Sequence, residues 1–196
     1  MWTALWDQGN QPLQWGVAIG TSLVAAAFDL TGRRIPNLLT GPVMLAGLVW
    51  AAAVAGWAGL AEAAVACVAL MLPFLVLFVV AGGGAGDAKL MGALGCWLGL
   101  INGLVALAAV CLAGIVMAVA FSVAKKRMLT VFRNTAAVVL GLVFMLLART
   151  RQAGMRLSFP AAEQMQTMPY GVAIFVGTCL AAIGVCLWRA RVMNAP

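Results

Sequence analysis

From Trp15 onward the chain runs in apolar stretches, each ended by a short polar or glycine-rich break. Most approach the ~20 residues a helix needs to cross a bilayer. Spans are expected at about 15–28, 38–57, 61–80, 88–100, 104–124 and 170–188. The breaks are Asp29-Leu-Thr-Gly-Arg-Arg-Ile-Pro-Asn37, Gly56 to Gly59, Gly82 to Asp87, Asn102-Gly103 and Lys125-Lys-Arg127. Composition closes the other routes. Hydrophobic residues make up 65% and charged residues 9% of the 196. A soluble domain carries ~25% charge, and disordered, collagen-like or coiled-coil chains fail the same test. Barrel strands would alternate polar and apolar, which these stretches do not. The expected fold is an all-α polytopic membrane protein with about six spans. It forms one membrane-embedded domain over 1–196.

Charge orients the chain. Net charge is +7, and basic loops stay on the cytoplasmic side beside anionic lipid. The six-span arrangement places 10 of the 12 Lys and Arg in cytoplasmic segments and only Arg189 and Arg191 outside. A seventh span would bring those two inside but move Arg149, Arg151 and Arg156 out. The apolar stretch 134–148 has basic residues on both sides, so it reads as an interfacial helix within a cytoplasmic segment 125–169. Residues 15–27 end in three alanines, as a cleavable signal peptide does. No Lys or Arg precedes them, so they read as an uncleaved first span. No soluble basic patch for nucleic acid is present. The chain has no His, which removes His metal sites and Ser-His-Asp triads. Its five cysteines form no C-x-x-C pair. That argues against zinc ribbons and disulfide frameworks and treats each thiol as a small hydrophobe.

Five acids remain. Asp7 sits in a polar tail, Glu163 in a polar loop, and Glu62 at the start of the third span, where a carboxylate suits a helix N-terminus at the membrane surface. Asp29 closes the first span and Asp87 opens the fourth, at the same membrane face. Carboxylates at membrane depth mark functional sites. Two held close cannot both ionise cheaply, so they share a proton, as in aspartic proteases. The plainer reading is two solvated loop acids, Asp29 beside Arg33 and Arg34 and Asp87 beside Lys89. Gly82, Gly83, Gly84 and Gly86 weigh against it. They permit the backbone bends tolerated at a polar cavity. A phosphate loop would need G-K-[ST] after the glycines, and an acid stands there instead.

Asp29-x-x-x-Arg33-Arg34-Ile35-Pro36-Asn37, then Gly84-Ala85-Gly86-Asp87-Ala88-Lys89, then Met168-Pro169-Tyr170-Gly171-Val172-Ala173 occur in that order. Together they resemble the prepilin peptidases, polytopic aspartic proteases of the G-x-G-D type. The resemblance implies that Asp29 and Asp87 are the catalytic pair. It also implies cleavage of leader peptides from type IV pilin precursors at the cytoplasmic face of a bacterial inner membrane, without metal or cofactor. Longer family members carry an N-terminal zinc-binding cysteine domain linked to N-methylation. With about 14 residues before the first span and no C-x-x-C, the chain looks like the short Flp or Tad form, with no methyltransferase activity expected. Gly84 and Gly86 shape the site. Pro36 and Asn37 start the second span. Arg33 and Arg34 anchor to lipid or meet an acidic substrate group. Lys89 tunes the carboxyl pair, and Pro169 and Tyr170 sit at the cytoplasmic rim, lining the site or joining an aromatic belt. The partners expected are pilin precursors and lipid, with oligomeric state open. A small ion-coupled transporter could also hold two membrane carboxylates, but no inverted repeat is visible. A purely structural assembly subunit is the third reading.

Overall fold

The computed structural model describes residues 11–32, 34–81, 84–124 and 170–193. All the regular structure among them is helical. In chain order the helices are α1 (Gln11–Gly32), α2 (Asn37–Ala81), α3 (Ala85–Ala124) and α4 (Tyr170–Met193). All four are long and apolar enough to cross a membrane. The segment 125–169, with the expected interfacial helix at 134–148, lies outside the described residues, as do Asp7, Arg33 and Pro169.

The expected six spans appear here as four long helices, two of them broken. At Gly56 φ is +59° and ψ −146°, and at Gly99 φ is +69° and ψ −175°. Only glycine enters such regions cheaply. In both places the chain doubles back. Twelve residues of straight helix would hold Ala51 and Ala63 about 18 Å apart, yet both belong to one buried cluster with Leu48 and Ala55. A Cβ on Gly92 would stand 3.3 Å from the Cys67 sulfur. One on Gly103 would stand 3.1 Å from Leu70, about one turn further along the same segment. A straight helix would separate residues 92 and 103 by about 16 Å. The helical segments are therefore 11–32, 37–54, 57–81, 85–98, 100–124 and 170–193.

Three expectations change here. The first helix does not stop before Asp29 but continues to Gly32, which places that carboxyl on a helix rather than in a hinge. The turn expected at Asn102-Gly103 falls at Gly99 instead. Asn102 and Gly103 are buried in the helix beyond it. Glu62 is no surface acid. It is 2% exposed and accepts the Leu100 N–H at 3.4 Å, satisfying an amide in the first turn after the break.

The packing is that of a membrane protein. On α1 the buried residues are Gln11, Gln14, Trp15, Ala18, Thr21, Ser22, Ala25, Ala26 and Asp29, a stripe at helical spacing. The other face exposes Leu23, Val24, Phe28 and Leu30. Small and polar residues turn inward, and bulky apolar ones outward toward lipid. The main core gathers Leu70, Phe74, Leu90, Met91, Leu94, Leu98, Val110 and Ile174 with Trp15 and Val185. Trp97 joins 85–98 to the first half of α2, donating from Nε1 to the Val43 carbonyl at 2.9 Å and stacking on Trp50.

Candidate active site

Asp29 stands in the last turn of α1 and is only 9% exposed. Its Oδ2 accepts the backbone N–H of Gly171 at 2.7 Å. Gly171 is the second residue of α4. An amide in the first helical turn has no partner within its own helix, and the positive end of the helix dipole favours an anion there. A side chain at 171 would put Cβ 3.0 Å from Asp29 Cβ, 3.1 Å from its Oδ2 and 3.3 Å from Ala26 Cα. Glycine is thus what lets α4 begin directly against the carboxyl.

Asp87 is the third residue of α3, in the first turn. Its N–H donates to the Gly84 carbonyl at 3.2 Å, which opens the helix. Its carboxyl lies back over Gly84, where a Cβ would meet Oδ2 at 2.8 Å. Gly84 therefore leaves room for the side chain. Gly86 leaves room for the 34–36 linker, because a Cβ there would stand 3.1 Å from that of Ile35. Asp29 and Asp87 lie within range of each other's charge, and Tyr170 within range of Asp87.

The remaining predicted residues fall around this pair. The Pro36 carbonyl accepts the Leu39 N–H at 3.0 Å, so Pro36 precedes the first turn of α2, and Asn37 begins it. Lys89 donates from Nζ to Asn37 Oδ1 at 2.8 Å. Lys89 thus ties the first turns of α3 to the start of α2. Arg34 is exposed on the linker. Tyr170 is half-buried, its ring edge-on to Phe74 at 5.9 Å and packed against Gly114. The three sequence elements thus interlock. Asp29 of the first meets Gly171 of the third, and Asn37 and Ile35 of the first meet Lys89 and Gly86 of the second. Gly171 escaped selection as a site residue because its contribution is a backbone amide. Its only sequence signal is its place after Pro169-Tyr170.

A bundle of membrane-length helices, among the described residues, that holds two carboxyl groups within range of each other's charge fits the class of membrane-embedded proteases. A family model described as the type IV leader peptidase family matches residues 16–119, more than half of the chain, and the chain belongs to that family. The match includes Asp29, the 33–37 linker and the 84–89 element, and ends before Tyr170. Neither the curated proteins nor the solved structures yield a match. A protease family leaves the transporter and structural-subunit readings without support.

Proposed function

We propose that the protein is an aspartic endopeptidase that removes leader peptides from type IV, Flp-like pilin precursors at the cytoplasmic face of the inner membrane. Asp29 and Asp87 are the catalytic pair. The observation that carries this reading is that Asp29, buried and held by the Gly171 amide, lies within range of the Asp87 charge. The distribution of Lys and Arg supports the orientation, with the six helical segments each crossing the membrane.

The precursor's apolar helix lies against the bundle, and its scissile carbonyl reaches the carboxyl pair. The pair holds one proton. The ionised carboxylate takes a proton from water as the water oxygen attacks the carbonyl carbon. The protonated carboxyl donates a hydrogen bond to the carbonyl oxygen. Collapse of the tetrahedral species breaks the C–N bond, and the proton passes to the leaving nitrogen. No covalent intermediate forms.

The test is co-expression of a pilin precursor from the same genome with wild type, Asp29→Asn or Asp87→Asn, followed by gel shift. Membrane abundance of each variant is measured in parallel. The expected result is cleavage by wild type and an intact precursor with each variant at normal abundance. Continued cleavage by both variants would remove the catalytic assignment. A Flp-like precursor and one of a longer pilin class, offered side by side, test the substrate class.

A further inference from the structure

Cys67 lies on the 57–81 segment and Cys96 on 85–98, far apart in sequence and together in space. Two glycines create the meeting. A Cβ on Gly95 would stand 2.6 Å from the Ala66 carbonyl oxygen and 3.0 Å from the Cys67 nitrogen, and one on Gly92 would stand 3.3 Å from the Cys67 sulfur. The two backbones therefore touch where they cross, as small-residue helix contacts in membranes do. At that crossing the Cys67 sulfur lies against Gly92, one helical turn before Cys96 and on the same helix face. Both thiols are free, with Cys96 fully buried and Cys67 half-buried. A disulfide requires adjacent backbones, and this crossing supplies them, with the Cys67 sulfur on the helix face that carries Cys96.

We propose that Cys67 and Cys96 form a reversible dithiol–disulfide pair within the membrane, oxidised by a small uncharged peroxide that enters through the bilayer. Cys67, the more accessible, reacts first. Its sulfur bonds to one peroxide oxygen, the O–O bond breaks, and water leaves a sulfenic acid. The Cys96 sulfur then attacks the Cys67 sulfur, the S–O bond breaks, and a second water carries away the Cys96 proton. The two thiols are oxidised by two electrons, and hydrogen peroxide is reduced to two waters. A dithiol reductant reverses the step.

The bridge bears on the site proposed above. Joining the sulfurs draws them to about 2.05 Å. The backbones already touch through Gly95, so the 85–98 segment cannot simply move closer and must turn about the crossing. Asp87 sits nine residues from Cys96, about 13 Å along that segment, and the turn displaces it. A displacement of about 1 Å at a reacting group costs on the order of 100-fold in rate. The bridge itself is independent of the peptidase reading; only the effect on cleavage rests on it.

The experiment treats purified full-length protein in lipid nanodiscs with hydrogen peroxide, denatures it, alkylates the remaining thiols and maps the peptides by mass spectrometry. The expected result is loss of two of the five alkylatable thiols and a peptide cross-linked through 67 and 96, both reversed by reductant. A variant with Cys111, Cys179 and Cys186 all changed to Ser still forms the bridge, and Cys67→Ser does not. Five thiols still alkylatable after oxidation, a bond between other cysteines, or an oxygenated Cys67 without a bridge each overturn the proposal. Cleavage of a precursor is expected to slow at least tenfold on oxidation and recover on reduction. A bridged enzyme that cleaves at the reduced rate overturns the link to Asp87. A protein that bridges but cleaves in neither state refutes the peptidase reading and leaves the bridge standing.

Discussion

Gly171→Ala tests the geometry of the site with a single methyl group. Its Cβ would stand 3.0 Å from Asp29 Cβ, 3.1 Å from Oδ2 and 3.3 Å from Ala26 Cα. Two of these three neighbours are fixed to the α1 backbone and cannot swing away. Either α1 and α4 separate by a few tenths of an ångström, or the Asp29 carboxyl rotates off the Gly171 amide. The first route is overpacking, at about 1–3 kcal/mol of stability. The second loses a hydrogen bond to a charged group, about 1.5–3 kcal/mol. If that loss falls on the transition state, cleavage drops roughly 10- to 150-fold. The assay is precursor cleavage by enzyme in nanodiscs, with kcat and KM determined separately and normalised to folded protein by thermal unfolding. The loss is expected in kcat, with KM within about twofold, because the amide holds Asp29, one of the two proposed catalytic groups, and not the substrate. Gly184→Ala is the control on the same helix, since its Cβ would meet nothing within 4 Å. It should cleave like wild type. A Gly171→Ala enzyme that matches wild type at equal abundance would refute the reasoning.

Lys89→Met and Asn37→Ala each break the 2.8 Å bond between the starts of α2 and α3 and should slow cleavage several-fold. The double variant should be no slower than the worse single one, which a double-mutant cycle on kcat/KM checks. Gly99→Ala forces an L-residue to φ +69°, at about 1–3 kcal/mol, and should lower the midpoint of thermal unfolding in detergent. Glu62→Ala leaves the Leu100 N–H without the carboxylate it donates to. It should cost about 1–3 kcal/mol by the same measurement, although Glu62 sits far along the chain from both Asp29 and Asp87.

The apolar stretches and their breaks were legible because a bilayer demands length and continuity. Asp29 and Asp87 stood out because the apolar surroundings leave few acids to consider. What escaped depended on partners distant in sequence. Asn102-Gly103 is a hairpin signal in water-soluble chains, but the chain turns three residues earlier because Gly99 alone takes the required φ. Gly103 is used instead for close approach to Leu70. Glu62 looked like a surface acid because nothing nearby reveals Leu100 as its partner. Gly171 has no side chain to attract notice, and its amide matters only because Asp29 lies against it.

The bond between Asp29 and Gly171 joins residues 142 positions apart, one in the first described helix and one in the last. During synthesis, at about 5–20 residues per second, roughly 7–30 s separate the two from the ribosome. Throughout that interval Asp29 is in the membrane without the amide that holds it. The newborn chain thus carries both acids well before its site is whole, and activity is a property of the finished protein only. A chain ended before Tyr170 should be inert, and the missing helix supplied as a separate peptide would be the piece that restores it.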